Sequence, residues 1–304
     1  MYIIITGATC TGKSETAVKT AEIMRGEIIS ADSMQVYRGM DIGTGKITPA
    51  AARGIPHHLI DILDAPEEFS AAKFKTLCER LIMDITARGK IPIVTGGTGL
   101  YIDVLIKGLA DIKEADENKK KELRLVLEKK GIEYLADTLR EKDPEEAAAI
   151  DTKNPRRVLR SLEIIAANNA RASEIKKRAS ENAFKEERKM FVLEMDRQAL
   201  YARIEARVDE MFKKGLIKEV ESLITGGAGD DTPAMQAIGY KEIAAYMREE
   251  KNPAGAAEKV KKATKNYAKR QITWMRRYEE AYRINIDKTG TKAAAEKIAS
   301  LSGK

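Results

Sequence analysis

Two cysteines, Cys10 and Cys78, and two histidines, His57 and His58, are all that the 304 residues contain of either type. Two thiols are too few for a disulfide framework. Without a further sulfur or imidazole ligand, the adjacent histidines make no zinc cage. Neighbouring strand residues face opposite sides, so His57 and His58 read as structural residues beside a sheet. Long apolar runs are also missing. No stretch approaches the roughly 18–20 residues that a membrane-spanning helix needs, and no membrane association is expected. The N-terminal apolar stretch, Tyr2 to Thr6, has strand length and no basic leader. No signal peptide is expected, and the cytoplasm is the expected compartment. Repeats and low-complexity tracts are absent as well.

What is present is globular and rich in charge: 43% hydrophobic and 33% charged residues, with a net charge of +7. The excess is local. From Lys251 to Arg283 there are ten Lys or Arg and three Glu, a balance of +7, which leaves the rest of the chain near neutral. Such a concentration suits a polyanion, and equally a solvated helix face. Periodicity predicts a helix over about 253–282. On it Val260, Thr264, Tyr267, Gln271, Trp274 and Tyr278 form one stripe, and Lys261, Lys262, Lys265, Lys269 and Arg276 lie roughly opposite.

The first hundred residues alternate strand and helix signals. Strands are predicted at 2–6, 27–30, 58–62 and 91–95, with helices at 14–25 and 71–88. Continuous apolar strands between helices imply a parallel sheet covered on both faces. After Gly108 the texture changes, and 113–140 is dense in Lys, Glu and Leu. Strand signals return at 190–194 and 283–286. The expected class is α/β, a P-loop NTPase-like parallel sheet flanked by helices, with a helical insertion domain. The boundaries expected are 1–112 for the first part of the core, 113–187 for the insertion, and 188–304 for the return strand and C-terminal helices.

Gly7-Ala8-Thr9-Cys10-Thr11-Gly12-Lys13-Ser14 fits G-x-x-x-x-G-K-[ST] between a strand and a helix. In that context the backbone N–H groups and the helix N-terminus cradle an anion, Lys13 neutralises phosphate oxygens, and Ser14 ligates Mg²⁺. The loop specifies a polyphosphate and not its hydrolysis. The strand Ile91 to Thr95 runs into Gly96-Gly97-Thr98-Gly99 with no acidic residue of the kind that holds Mg²⁺ in nucleotide hydrolases. After the second strand, Asp32 stands at the sheet edge where ligands bind in doubly wound folds. A carboxylate there can take a proton from an attacking amine, bind Mg²⁺, or cap a turn.

Seven stretches together resemble the tRNA dimethylallyltransferase (tRNA isopentenyltransferase) family. They are the phosphate loop, Asp32-Ser-Met-Gln-Val-Tyr-Arg-Gly-Met-Asp-Ile-Gly-Thr44, Gly54-Ile-Pro-His-His-Leu-Ile-Asp61, Phe69-Ser-Ala-Ala-Lys-Phe74, Gly96-Gly-Thr-Gly-Leu-Tyr101, Ile238-Gly-Tyr-Lys-Glu242 and Lys269-Arg-Gln-Ile-Thr-Trp274. The resemblance implies transfer of a dimethylallyl group from dimethylallyl diphosphate to N6 of adenosine 37 in the tRNA anticodon stem-loop. The target base is flipped into a channel, with Mg²⁺ as cofactor, and the enzyme is expected to be a monomer. By the same resemblance, Asp32 is the general base, and Gly7 to Ser14 bind the diphosphate. Arg207 contacts it, with Arg203 as the fallback. Ser33, Met34 and Gln35 hold the base together with Asp32. Thr98, Lys120, Arg156-Arg157-Val158-Leu159-Arg160 and Ala237-Ile238-Gly239-Tyr240-Lys241-Glu242 contact tRNA.

Ala8 stands where the family usually has Pro, and Cys10 where it usually has Ala; neither change removes an amide donor. Lys119 to Lys121 stand where the family tends to have a tRNA-contacting Arg, whose bidentate contact Lys cannot copy. Two other readings remain open: an enzyme that prenylates free adenine nucleotides, and a small-molecule kinase or nucleotide-gated RNA-binding protein.

Overall fold

The computed structural model describes residues 1–249 and 252–303, so Lys251 of the basic segment and Lys304 at the chain end lie outside the described residues. Six parallel strands form one sheet in the order β3-β2-β4-β1-β5-β6. The chain enters through β1 (Tyr2–Gly7), all of it buried. It then forms α1 (Lys13–Met24), β2 (Gly26–Ser30) and the short α2 (Pro49–Ala52), capped by the Thr48 hydroxyl. β3 is only His57–His58, shorter than predicted and earlier. Leu59 and Asp61 take left-handed backbone (φ 61° and 54°), which stops the extension.

Next come α3 (Ala71–Ala87), capped by Ser70, then β4 (Ile91–Gly96) and α4 (Gly99–Lys107). Parallel strands are covered on both faces, hence the Ile run of β1 and the Ile91-Pro92-Ile93-Val94 stretch of β4.

The compact unit Asp103–Lys185 is helical. α5 (Glu117–Lys142) starts at an Asp116 cap and is kinked at Gly131. α6 (Pro144–Ala149), α7 (Pro155–Asn168) and α8 (Ala172–Lys177) follow. Leu135, Leu139, Ala147, Val158 and Leu162 make its core. Buried Asp143 accepts from Glu146 N (3.0 Å), Ser173 N (2.9 Å) and Ser173 Oγ (2.8 Å). The unit begins at Asp103, earlier than the change of texture at Gly108 suggests. The Leu105 and Leu109 carbonyls already receive Phe184 N and Asn182 Nδ2 from the far end of this same unit.

The other unit, Met1–Ile102 with Glu186–Lys304, holds the sheet. β5 (Arg188–Glu194) returns beside β1, and α9 (Arg197–Lys213), α10 (Leu216–Thr225), α11 (Tyr240–Arg248) and α12 (Ala257–Met275) follow. α12 is shorter at both ends than the predicted helix: a 3₁₀ turn, Pro253–Ala256, precedes it. Its apolar stripe is buried at Val260, Ala268, Gln271 and Met275. The opposite face is partly neutralised, because Lys261 pairs with Asp209 (2.7 Å) and Lys265 with Glu205, both on α9. β6 is Tyr282–Asn285, one residue earlier than predicted, because Asn285 caps a last helix, α13 (Ile286–Leu301). No described helix is long and apolar enough to cross a membrane.

At the start of β2, the carboxylate of Glu27 is 2% exposed and meets Arg88, Lys90 (2.8 Å) and His58 Nε2 (2.8 Å). The Arg88 hydrogen bonds hold its pKa far below the usual carboxylate range. A depressed folded-state value means stabilisation that is full above the unfolded value of about 4.3 and is lost as pH falls below it. The three partners are a quarter to two-fifths exposed. Glu27→Gln is therefore expected to cost about 2 kcal/mol at pH 7, less than the about 3–5 of a fully buried pair. Thermal melts from pH 7 to 3 check this: the gap between wild type and variant should hold down to about pH 5 and narrow below about 4.3.

Candidate active site

Strand order sets the site. β4 lies between β1 and β2, so the phosphate loop and Asp32 stand at the same carboxyl edge, about two strand spacings or roughly 10 Å apart. The first amides of α1 have no intrahelical acceptor, and Thr9, Cys10, Gly12, Lys13 and Ser14 line a cavity of about 590 Å³. Gly7, Ala8 and Thr11 are buried and do not line it. They close the loop instead: Thr11 Oγ1 donates to the Ala8 carbonyl at 2.8 Å, and Lys13 Nζ donates to the same oxygen at 2.7 Å. The Thr9 amide is also committed, donating to Gln271 Oε1 at 2.8 Å. Burial lowers the Lys13 pKa to about 8, with Asp32 pulling the other way.

Asp32 is fixed by its own turn, Oδ1 accepting from Met34 N at 2.9 Å. Ser33 N donates to Thr98 Oγ1 at 3.0 Å, and Thr98 N to the Ala31 carbonyl at 3.2 Å, which ties the turn to the end of β4. Among the described residues no hydrogen bond engages the second oxygen of Asp32, and Asp32 lines the cavity of the phosphate loop. It also lines a second cavity of about 330 Å³, walled by Met34, Ile204, Val208, Leu216, Ile238 and Val260 among others. Thr9, Asp32, Thr44, Arg207, Met211 and Tyr267 line both cavities.

Arg207 comes from α9, which is capped by Asp196 and buries Leu200, Ile204 and Val208 along one face. From the flank of that face its Nη2 donates to the Thr44 carbonyl at 3.3 Å. A Cβ on Gly45 would collide with the guanidinium. Arg203, the alternative, is exposed and lines neither cavity.

Of the remaining expected site residues, Ser33 and Met34 line the second cavity and Gln35 the first. Ala237, Ile238, Gly239 and Tyr240 line the second; Lys241 is exposed, and Glu242 caps Gly239 N at 2.8 Å. In the insertion, Arg156, Arg157 and Arg160 are exposed at the start of α7, where the Asn154 side chain accepts from Arg156 N. Val158 belongs to the core and Leu159 packs on it, and Val158 N donates to the Asn154 carbonyl at 3.2 Å, so neither the side chain nor the amide of Val158 is free for a contact. Lys120 is paired with Glu117 at 2.8 Å. His58 serves Glu27, whereas His57 lines the first cavity with Nδ1 bonded to the Ile55 carbonyl at 2.8 Å.

Sequence reasoning missed Tyr267 and Gln271 as site residues, reading them only as packing stripe. Gln271 joins the Thr9 amide to the Gly97 carbonyl (2.8 Å each). Tyr267 lines both cavities, and burial together with nearby Asp32 pushes its phenol up to about 12. Two polar groups on an otherwise packed helical face were the available signal.

Residues 35–278 match the family model described as IPP transferase. The chain is 44% identical over 286 residues to the tRNA dimethylallyltransferase of Acetivibrio thermocellus, covering 94% of this chain and 91% of that one. For the enzyme of the same name from Exiguobacterium the identity is also 44%, over 90% and 86% of the two chains. The crystal structure of the full-length tRNA isopentenylpyrophosphate transferase from Bacillus halodurans is 41% identical, covers 99% of this chain and 95% of its own, and superposes with a TM-score of 0.73. A eukaryotic dimethylallyltransferase crystallised while acting on tRNA is 30% identical, with a TM-score of 0.85 over 99% of this chain and 78% of that one. With four-fifths of its length matched by the family model and its relatives aligned nearly end to end, the chain belongs to the IPP transferase family.

Proposed function

We propose that the protein is a transferase that moves the dimethylallyl group of dimethylallyl diphosphate onto N6 of adenosine 37 in the anticodon stem-loop of tRNA. The observation that carries this reading is the pair of cavities joined at Asp32, Arg207 and Tyr267. One has the amides and the lysine that a diphosphate needs. The other is apolar enough for a prenyl group and a flat base. The diphosphate sits on the loop with Lys13 and Arg207 about it, and the adenine arrives flipped from its loop, as chemistry on a base requires. Asp32 takes a proton from N6 as the N6–C1 bond forms. The C1–O bond breaks, and its electron pair leaves with the diphosphate, where the loop amides, Lys13 and Arg207 meet the growing charge.

The oxygen set fits Mg²⁺. Ser14 offers a hydroxyl beside the loop, and the described residues hold no group of three or more His, Cys, Asp or Glu for a protein cage. Such a donor set suits an ion that takes most of its ligands from phosphate and water. Mg²⁺ would supply charge neutralisation of the diphosphate. One chain carries the loop, Asp32 and Arg207 together, so a monomer suffices.

The test is incubation with labelled dimethylallyl diphosphate and either tRNA or AMP. Label in tRNA alone is expected. Label in AMP points to a nucleotide prenyltransferase, and label in neither overturns prenyl transfer.

A further inference from the structure

We infer that Glu219, outside both cavities, is a positioning residue that sets the wall of the diphosphate cavity through loop 41–46. The inference rests on the assignment of that cavity to the donor. Glu219 lies in the first turn of α10. Its Oε2 accepts from Asp41 N (2.9 Å) and Ile42 N (2.8 Å); its Oε1 accepts from Gly43 N (3.0 Å) and from the Tyr240 hydroxyl (2.6 Å). Three consecutive amides converging on one point form a nest for an anion. A carboxylate fills it with charge-assisted bonds roughly twice as strong as neutral ones. A neutral amide side chain cannot replace it, because its NH₂ group would face donors.

The loop held this way supplies Asp41, Ile42, Thr44, Gly45 and Lys46 to the cavity. The Thr44 carbonyl receives Arg207, and Gly45 leaves the space its guanidinium fills. Gly43 is fixed from the other side, since a Cβ there would strike the Tyr240 ring. One carboxylate therefore sets loop 41–43 against α11, and through Thr44 and Gly45 it sets where Arg207 can stand. The loop's far end is tied independently, by Lys46 Nζ to the Tyr37 carbonyl (2.5 Å) and to Asp61 (2.5 Å). Losing Glu219 displaces the loop without releasing it.

The test is calorimetric binding of inorganic diphosphate with Mg²⁺ to the full chain as wild type, E219Q, R207A and the double variant. E219Q is expected to weaken diphosphate by about tenfold, and the double variant to bind within about twofold of R207A, because both act through one group. E219D, which keeps the charge, should recover part of the loss. Diphosphate affinity unchanged in E219Q, or losses that multiply in the double variant as an independent structural defect would make them, overturns the inference. If E219Q does not fold, Y240F removes one of the four bonds and takes its place. A smaller loss that vanishes on R207A supports the inference, and wild-type affinity overturns it. Diphosphate binding is read without any transfer, so a failure to prenylate tRNA is a separate result.

Discussion

Replacing Asp32 with Ala is expected to lower prenyl transfer by about 10²–10⁴-fold, the range for loss of a positioned general base. Affinity for tRNA should stay within about threefold, since a flipped base draws most of its binding from phosphate and stacking contacts elsewhere. The turn should survive in part, because Ser33 N still reaches Thr98 Oγ1 and Thr98 N still reaches the Ala31 carbonyl. Asp32→Asn is the sharper comparison. It keeps the acceptor for Met34 N and loses only the ability to take a proton, so its transfer should be as poor as that of the Ala variant. Single-turnover transfer with donor and enzyme in excess over tRNA reads this, with filter binding for the tRNA affinity. Turnover like the wild type in either variant removes Asp32 from the mechanism.

Lys13→Ala should cost about 10²–10³-fold in transfer, comparable to removing one preorganised donor to a developing anion. The Lys13 pKa is lowered to about 8 by burial, which gives the effect a pH signature. Below that value the ammonium is present and attracts the diphosphate. As pH rises through it the charge is lost in the free enzyme, so diphosphate affinity should weaken between about pH 7 and 9. Lys13→Arg keeps its charge over that range and should show a flatter profile. Lys13→Ala should be weak and flat throughout. An affinity that rises with pH in the wild type contradicts the role given to Lys13.

The parallel sheet was legible because Ile3 to Ile5 and Ile91 to Val94 are continuous apolar runs, and runs of that kind have few other uses in a chain with helices between them. The loop was pointed to by its motif, Asp32 by its place after the second strand together with the family resemblance, and Arg207 by the resemblance alone; loop residues, Asp32 and Arg207 line one cavity. The ends of elements were not. β3 stops at His58 because Leu59 and Asp61 turn left-handed, and neither residue type announces that conformation. α13 was missed although Ala294, Ala295, Ile298 and Ala299 are buried on its one packed face. It is alanine-rich and broken at Gly290, and its hydrophobic pattern is weak. The anchors of the site were hidden for a different reason. Gln271 and Glu219 reach the Thr9 amide and the 41–43 amides across 262 and 176–178 positions of sequence. No local pattern encodes a bond made at that distance. The ion pairs of Lys261 with Asp209 and of Lys265 with Glu205 were likewise not legible, because they join residues far apart in sequence.

The most direct measurement is nucleoside and fragment mass analysis of a tRNA transcript after incubation with the protein, dimethylallyl diphosphate and Mg²⁺. One dimethylallyl group on the adenosine following the anticodon, absent with Asp32→Asn, is the expected result. Unmodified tRNA, while the same protein converts ATP to ADP and leaves the prenyl donor intact, would contradict it.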